Sequence, residues 1–177
     1  MATQDLAAAL ARAQTCLQRR PDMGMHEDSP AVAHWMGGTR IVASHANGTS
    51  VATDIAAELG GSGDRASPGW LFRASIGACA ATCIALMAAR AGIELTRLSV
   101  RVSGRSDTRG VLGMSDSDGR RVSPAPRDLV LAVEVAAENA SAAQLREVVA
   151  EAWRRAPVPS AVQAALPLML DLRAVED

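Results

Sequence analysis

The chain has 177 residues, a length that suits one domain with a core of its own. It is 49% hydrophobic and 21% charged with a formal charge of −1, so it lacks the basic face expected of a nucleic-acid binder. Three Trp, one Phe and no Tyr leave no platform for stacking bases, so no nucleic-acid partner is expected and Ala, Val and Leu must fill the core.

In chain order, residues 2–19 read as a helix with Leu6, Leu10, Ala13 and Leu17 on one stripe. The N-terminus lacks a basic stretch followed by an apolar run, so no secretory signal is read there. Pro21, Gly24 and Pro30 then break the chain. A hairpin is expected next: a strand from Thr39 to Ser44, a type I′ turn at Asn47-Gly48, and a strand from Ser50 to Ile55. A glycine-rich loop leads to Ser67-Pro68, which have the character of an N-cap and first helical residue, and Gly92 closes the helix they open. That helix is apolar on nearly every face, which predicts burial inside the protein. Its uncharged run, Ala74 to Ala89, is shorter than the roughly 18 residues a membrane span needs, so no membrane partner is expected.

Leu98, Val100 and Val102 alternate with Ser99, Arg101 and Ser103, the pattern of a half-buried strand. A turn-rich excursion follows, then a second strand in "DLVLAVEVAA". Ser141 with Gln144 forms a capping box for a helix whose apolar stripe is Leu145, Val148, Val149, Ala152 and Trp153. "APVPSAVQAAL" breaks that helix and restarts it briefly, and "PLMLDLRAV" reads as a final strand. Strands and helices do not alternate regularly, so the class is α+β with a largely antiparallel sheet.

Three cysteines, Cys16, Cys79 and Cys83, cannot all pair within one chain, which fits a reduced, cytoplasmic setting. Cys79 and Cys83 stand at i and i+4 on the long apolar helix, with Cβ atoms about 5–6 Å apart. A disulfide wants about 3.8 Å, so the pair does not bridge without local unwinding. His26, His34 and His45 are scattered, and no metal or cofactor motif accompanies the thiols. Two readings stay open: small core residues, or a nucleophile that needs a helix N-terminus or a cation beside the sulfur. Arg73 lies roughly 240° around the helix from Cys79 and faces away, whereas Arg40, on the hairpin, is free to approach.

Four segments in consistent order, "ELGGSG" (58–63), "SPGWLFRASIGACAATC" (67–83), "ARAGIELTRLSVRVSG" (89–104) and "RRAPVPSAV" leading into "LPLMLDLRAV", resemble the OsmC/Ohr family of osmotically inducible and organic hydroperoxide resistance proteins. The resemblance covers residues 33–175 and implies an OsmC-like domain over 33–177 after an N-terminal helix and linker, 1–32. It also implies an intertwined homodimer with antiparallel sheets wrapped around the long central helix. Peroxidases of that family use a first cysteine on the central helix, matching Cys79, whose thiolate attacks a peroxide oxygen and becomes a sulfenic acid. Their second cysteine precedes a proline on a later helix, and Ala156 stands there, before Pro157. The glutamate that holds the family's arginine matches Gly69, and Arg40 is the nearest counterpart of that arginine.

The resemblance therefore implies a thiol-dependent peroxidase acting on small organic hydroperoxides. Cys79 is its peroxidatic residue, Cys83 an accessory, Arg40 an activator, and an external thiol its reductant. The alternative is a non-catalytic dimer that binds a hydrophobic small molecule, with Cys79 lining the cleft.

Overall fold

The computed structural model describes residues 3–175, in the order α1 (Thr3–Arg19), β1 (Val32–Trp35), β2 (Ile41–Ser44), β3 (Ser50–Thr53), α2 (Pro68–Arg90), β4 (Leu95–Arg105), α3 (Thr108–Val111), β5 (Arg127–Ala137), α4 (Ala142–Arg155) and α5 (Pro157–Ala164). The mixed class with antiparallel sheets is as expected, but the strands form two separate sheets, β1-β2-β3 and β4-β5.

Helix α2 starts and stops where its sequence signals lie. The Ser67 side chain accepts from the Trp70 N–H, Pro68 occupies the first turn, and Gly92 takes a φ of 67°. The Ile93 N–H then closes back on the Ala88 carbonyl at 2.9 Å, satisfying an end carbonyl that the helix itself leaves open. At 23 residues α2 is longer than its uncharged run, and by length and composition alone it is apolar enough to span a bilayer. Here it lies against α1, α4, α5 and β4.

Burial of α2 covers one face only. Ile76, Gly77, Ala80, Cys83, Ile84, Ala88 and Ala89 are buried, while Phe72, Ser75, Ala78 and Thr82 stay exposed. The expectation of burial all round is corrected: one chain supplies a layer on one side of the helix and none on the other. Gly77 marks the close crossing with β4, since a Cβ there would stand 3.4 Å from Val102 Cγ2. On that side Ile84, Ala88, Ile93, Leu145, Val148, Ala152 and Ala156 form the core with Cys83, and Leu98, Val100 and Val133 of the β4-β5 ribbon pack against it.

The alternation read in β4 and β5 is realised, with Val100 paired to Val133 and Val102 to Leu131. Helix α4 carries the expected capping box at Ser141 and Gln144. α5 is the brief restart expected after the Ala156-Pro157 break.

Three local readings change. Strand β1 extends the hairpin to three strands; its four residues are all exposed, so burial leaves no alternation to detect. The turn is not type I′: Gly48 alone has positive φ, at 89°, and Asn47 does not. Instead the Asn47 side chain accepts from the Thr49 N–H at 3.0 Å, and His45 pairs with Thr49 across a three-residue connection. The final strand expected in 167–175 does not form; those residues carry no regular structure, and Leu168, Met169 and Leu170 are 97%, 92% and 88% exposed. Apolar alternation is present there, but a strand also needs an edge to pair with, and within this chain none is aligned with the tail.

Candidate functional site

Cys79 and Cys83 lie one turn apart on the side of α2 that meets the α4–α5 junction. Two elements converge on them. The end of α4 presents the Arg155 carbonyl to Cys83, whose Sγ donates to it at 3.9 Å. The start of α5 presents the Val158 N–H to Cys79, whose Sγ accepts it at 3.4 Å.

The α5 terminus explains that second contact. Its N-cap is Ala156, which has no side-chain acceptor, and Pro157 at the first position has no N–H. Val158 therefore carries the first free donor of the helix, and the sulfur from α2 takes the capping role that Ala156 leaves empty. This aims the N-terminal end of α5 at Cys79, a contact that the sequence reading did not consider. The available signal was the Ala-Pro-Val-Pro run itself, since Pro at a first helical turn marks a helix start.

The two thiols differ in surroundings. Cys79 is half-buried and Cys83 is buried. Burial pushes the Cys83 thiol above its usual range, and the neighbouring Cys79 sulfur adds to that by its charge and by hydrogen bonding. Cys83 thus stays protonated while Cys79 is the sulfur beside a backbone donor. Cys16 sits apart on α1, near the Arg20 guanidinium at 3.9 Å.

Arg40 is not hydrogen-bonded to either sulfur. It precedes β2, and its Nη2 donates to Asp54 Oδ2 at 3.1 Å, Ser62 Oγ at 2.9 Å and Asp64 Oδ1 at 2.6 Å. Asp54, 3% exposed at the end of β3, also accepts from Thr39 Oγ1 at 2.5 Å, the Ile55 N–H at 2.8 Å and Ser62 Oγ at 2.6 Å. The sequence reading missed this carboxylate, because a single Asp after a short strand has no motif. Gly69, the position matched to the family's glutamate, lies in the first turn of α2, where a Cβ would come 3.8 Å from Arg73 Nη1. Arg40 is thus fixed by Asp54 and Asp64. Among the described residues, no group of three or more His, Cys, Asp or Glu side chains is placed to hold a metal ion.

The Asp54 knot makes a pH prediction. Hydrogen bonds from Ser62 and Thr39 first, then from the Ile55 N–H, hold the Asp54 carboxyl well below the usual carboxylate range against the opposing effect of burial. A carboxyl depressed on folding stabilises fully above its unfolded value near pH 4, and that stabilisation is lost as pH falls toward the folded value. Asp107, lowered to about 2 mainly by its hydrogen bonds from Arg109, acts with the same sign. Asp54→Asn is expected to lower the melting temperature at neutral pH and to flatten its decline below pH 4. Melting curves parallel to those of the parent protein from pH 7 down to pH 3 would remove Asp54 from this role.

A family model described as OsmC-like protein matches residues 61–171, more than half of the chain. No curated protein sequence matches. Among solved structures, an OsmC-like protein from Mycoplasma pneumoniae is similar with a TM-score of 0.64 at 19% identity, covering 78% of this chain and 89% of that one. An organic hydroperoxide resistance protein OsmC from Legionella pneumophila gives a TM-score of 0.56 at 21% identity, over 78% and 91% of the two chains. One from Elizabethkingia anophelis gives 0.56 at 18% identity, over 78% and 90%. At such identities the neighbours speak for the fold, and the family model speaks for descent. The matched segment holds both thiols of α2, the β4-β5 ribbon and the α4–α5 junction that caps Cys79. The chain belongs to the OsmC-like protein family.

Proposed function

We propose that the protein is a thiol-dependent peroxidase that reduces small organic hydroperoxides at Cys79. The observation that carries this reading is the seat of the Cys79 sulfur: half-buried, and receiving the first free N–H of α5 at 3.4 Å. Negative charge on sulfur is stabilised in such a place, and a thiolate is the species that attacks a peroxide oxygen. The neighbours from Legionella pneumophila and Elizabethkingia anophelis are named organic hydroperoxide resistance proteins, which supports the substrate class.

In the reaction the Cys79 thiolate takes the terminal oxygen of the hydroperoxide, the O–O bond breaks, and the alcohol leaves as the sulfur becomes a sulfenic acid. Ala156 offers no second thiol, and Cys83 is held protonated with its hydrogen directed at the Arg155 carbonyl, so the reductant is an external thiol. Arg40, clamped by Asp54 and Asp64, serves as the activating cation in this reading. No cofactor takes part.

We place the protein in the cytoplasm as a homodimer, with no membrane or nucleic-acid partner. The free thiols suit a reducing compartment, and the uncovered α2 face and the exposed tail suit a second copy. A monomer in solution by sedimentation would remove the dimer. For the activity, reduced protein should consume one equivalent of cumene hydroperoxide alone and continue turning over when a small dithiol is added. No consumption would sink the peroxidase.

A second reading has its own support: an apolar groove of about 840 Å³ between β5 and α4, lined by Leu129, Leu131, Val133, Leu145, Val149 and Trp153. A hydrophobic small molecule would fit it, and the protein would then be a binder in which Cys79 does no chemistry.

A further inference from the structure

We infer that the oxidised Cys79 sulfur is trapped by the Val158 backbone nitrogen as a sulfenamide, which joins α2 to α5 and protects the site until a thiol reopens it. The inference rests on the peroxidase reading, because it needs the sulfenic acid that hydroperoxide generates.

Distance and availability point to this nitrogen. The Val158 N–H already touches the sulfur at 3.4 Å, with no intervening group. It stands in the first turn of α5, where no intrahelical acceptor is available, so its conversion breaks no helix hydrogen bond. The neighbours on both sides, Pro157 and Pro159, have no N–H, so Val158 supplies the sole backbone donor across these three residues. A sulfenamide nitrogen resembles that of proline, fully substituted and without hydrogen, and the first helical turn accommodates such a nitrogen.

Other partners are less well placed. Cys83 lies one turn along the same helix, with Cβ atoms at about 5–6 Å, too far for an unstrained disulfide. Its thiol is directed at the Arg155 carbonyl and is held protonated by burial and by Cys79. The residue at 156 is alanine, and Cys16 is on α1.

Each step balances. Thiolate and hydroperoxide, with one proton, give sulfenic acid and alcohol. The sulfenic acid and the Val158 N–H then condense: the S–O bond breaks, an S–N bond forms and water leaves. Two equivalents of an external thiol reverse it, the first opening S–N to a mixed disulfide and returning the proton to nitrogen, the second releasing Cys79 and a disulfide.

The test uses the full chain carrying Cys16→Ser and Cys83→Ser, so that Cys79 is the sole thiol, treated with one equivalent of cumene hydroperoxide. Intact mass is expected to fall by two hydrogens, with the tryptic peptide 74–90 joined to 156–173, and both changes should reverse with dithiothreitol. In a protein with one thiol, that loss without dimerisation cannot be a disulfide. Val158→Pro in the same background removes the N–H at a position that tolerates proline. It is expected to lose the two-hydrogen product and to gain one oxygen instead, and two when a second equivalent of hydroperoxide overoxidises Cys79. A parent protein that gains one or two oxygens with no two-hydrogen loss overturns the trap and leaves the peroxidase standing. A two-hydrogen loss that persists in Val158→Pro overturns the assignment to this nitrogen. No mass change at all overturns the trap and the peroxidase together.

Discussion

Cys79→Ser is expected to reduce hydroperoxide consumption to the protein-free rate while leaving the fold intact. The two halves of that outcome have separate causes. A serine hydroxyl stays protonated far above neutral pH and has no accessible oxidation chemistry equivalent to the thiolate's, so the first step has no nucleophile. Yet its oxygen accepts a hydrogen bond at least as well as sulfur, so the Val158 N–H keeps a partner and α5 keeps its cap. The melting temperature should therefore change little. Peroxide loss followed at neutral pH, alongside a thermal melt, checks both halves. The same variant separates the two functional readings, because an apolar probe in the groove between β5 and α4 should bind it as well as it binds the parent. If Cys79→Ser still consumed peroxide, the nucleophile would lie elsewhere, and Cys16 would be next to remove.

The helices and the long strands were readable because their information is local. Ser67, Pro68 and Gly92 bound α2, and Ser141 with Gln144 starts α4, through contacts within a few residues. The Val-rich alternation of β4 and β5 shows one face toward α2 and the other toward solvent. Where a feature depends on distant chain, local pattern misled. Leu168, Leu170 and Leu172 alternate as a strand should, but pairing requires an edge that this chain alone does not bring to them. The nearly all-apolar circumference of α2 suggested full burial, and the exposed face of Phe72, Ala78 and Thr82 shows that composition does not say which molecule supplies the cover.

The site divides along the same line. That Cys79 and Cys83 share a face follows from helical spacing and was legible. That an α5 amide reaches Cys79 follows from a contact 79 positions away in sequence, and spacing on α2 contains no trace of it. Arg40 was legible as a cation free to approach a buried site. Its commitment to Asp54 and Asp64 was not, because the knot ties three loop or strand-end segments whose residues match no motif. The site's distinguishing feature, a cysteine sulfur capped by a backbone donor with alanine rather than cysteine before Pro157, is therefore a product of tertiary structure acting on one sequence departure, Ala156.

That departure can be reversed, and Ala156→Cys is expected to convert a one-thiol reaction into a two-thiol one. Ala156 is fully buried in the core cluster against which Cys79 packs, and it precedes the Val158 N–H that touches the Cys79 sulfur by two residues. A thiol placed there stands at the N-cap of α5, the same helix end that faces Cys79. The added sulfur must be fitted into a packed core, at a cost of about 1–3 kcal/mol, which should appear as a lower melting temperature in the reduced protein. On oxidation the introduced thiol competes with the Val158 nitrogen for the sulfenic acid, and a thiolate is the far stronger nucleophile toward sulfur. With Cys16 and Cys83 replaced by serine, the parent should lose one titratable thiol per hydroperoxide and the Ala156→Cys protein two. Turnover with a small dithiol should also accelerate, because disulfide exchange replaces attack on a hindered, half-buried sulfur. Counting free thiols after one equivalent of hydroperoxide decides it. Loss of a single thiol in the variant would mean that the α4–α5 junction holds position 156 away from Cys79, and that more than one substitution separates this chain from a two-cysteine cycle.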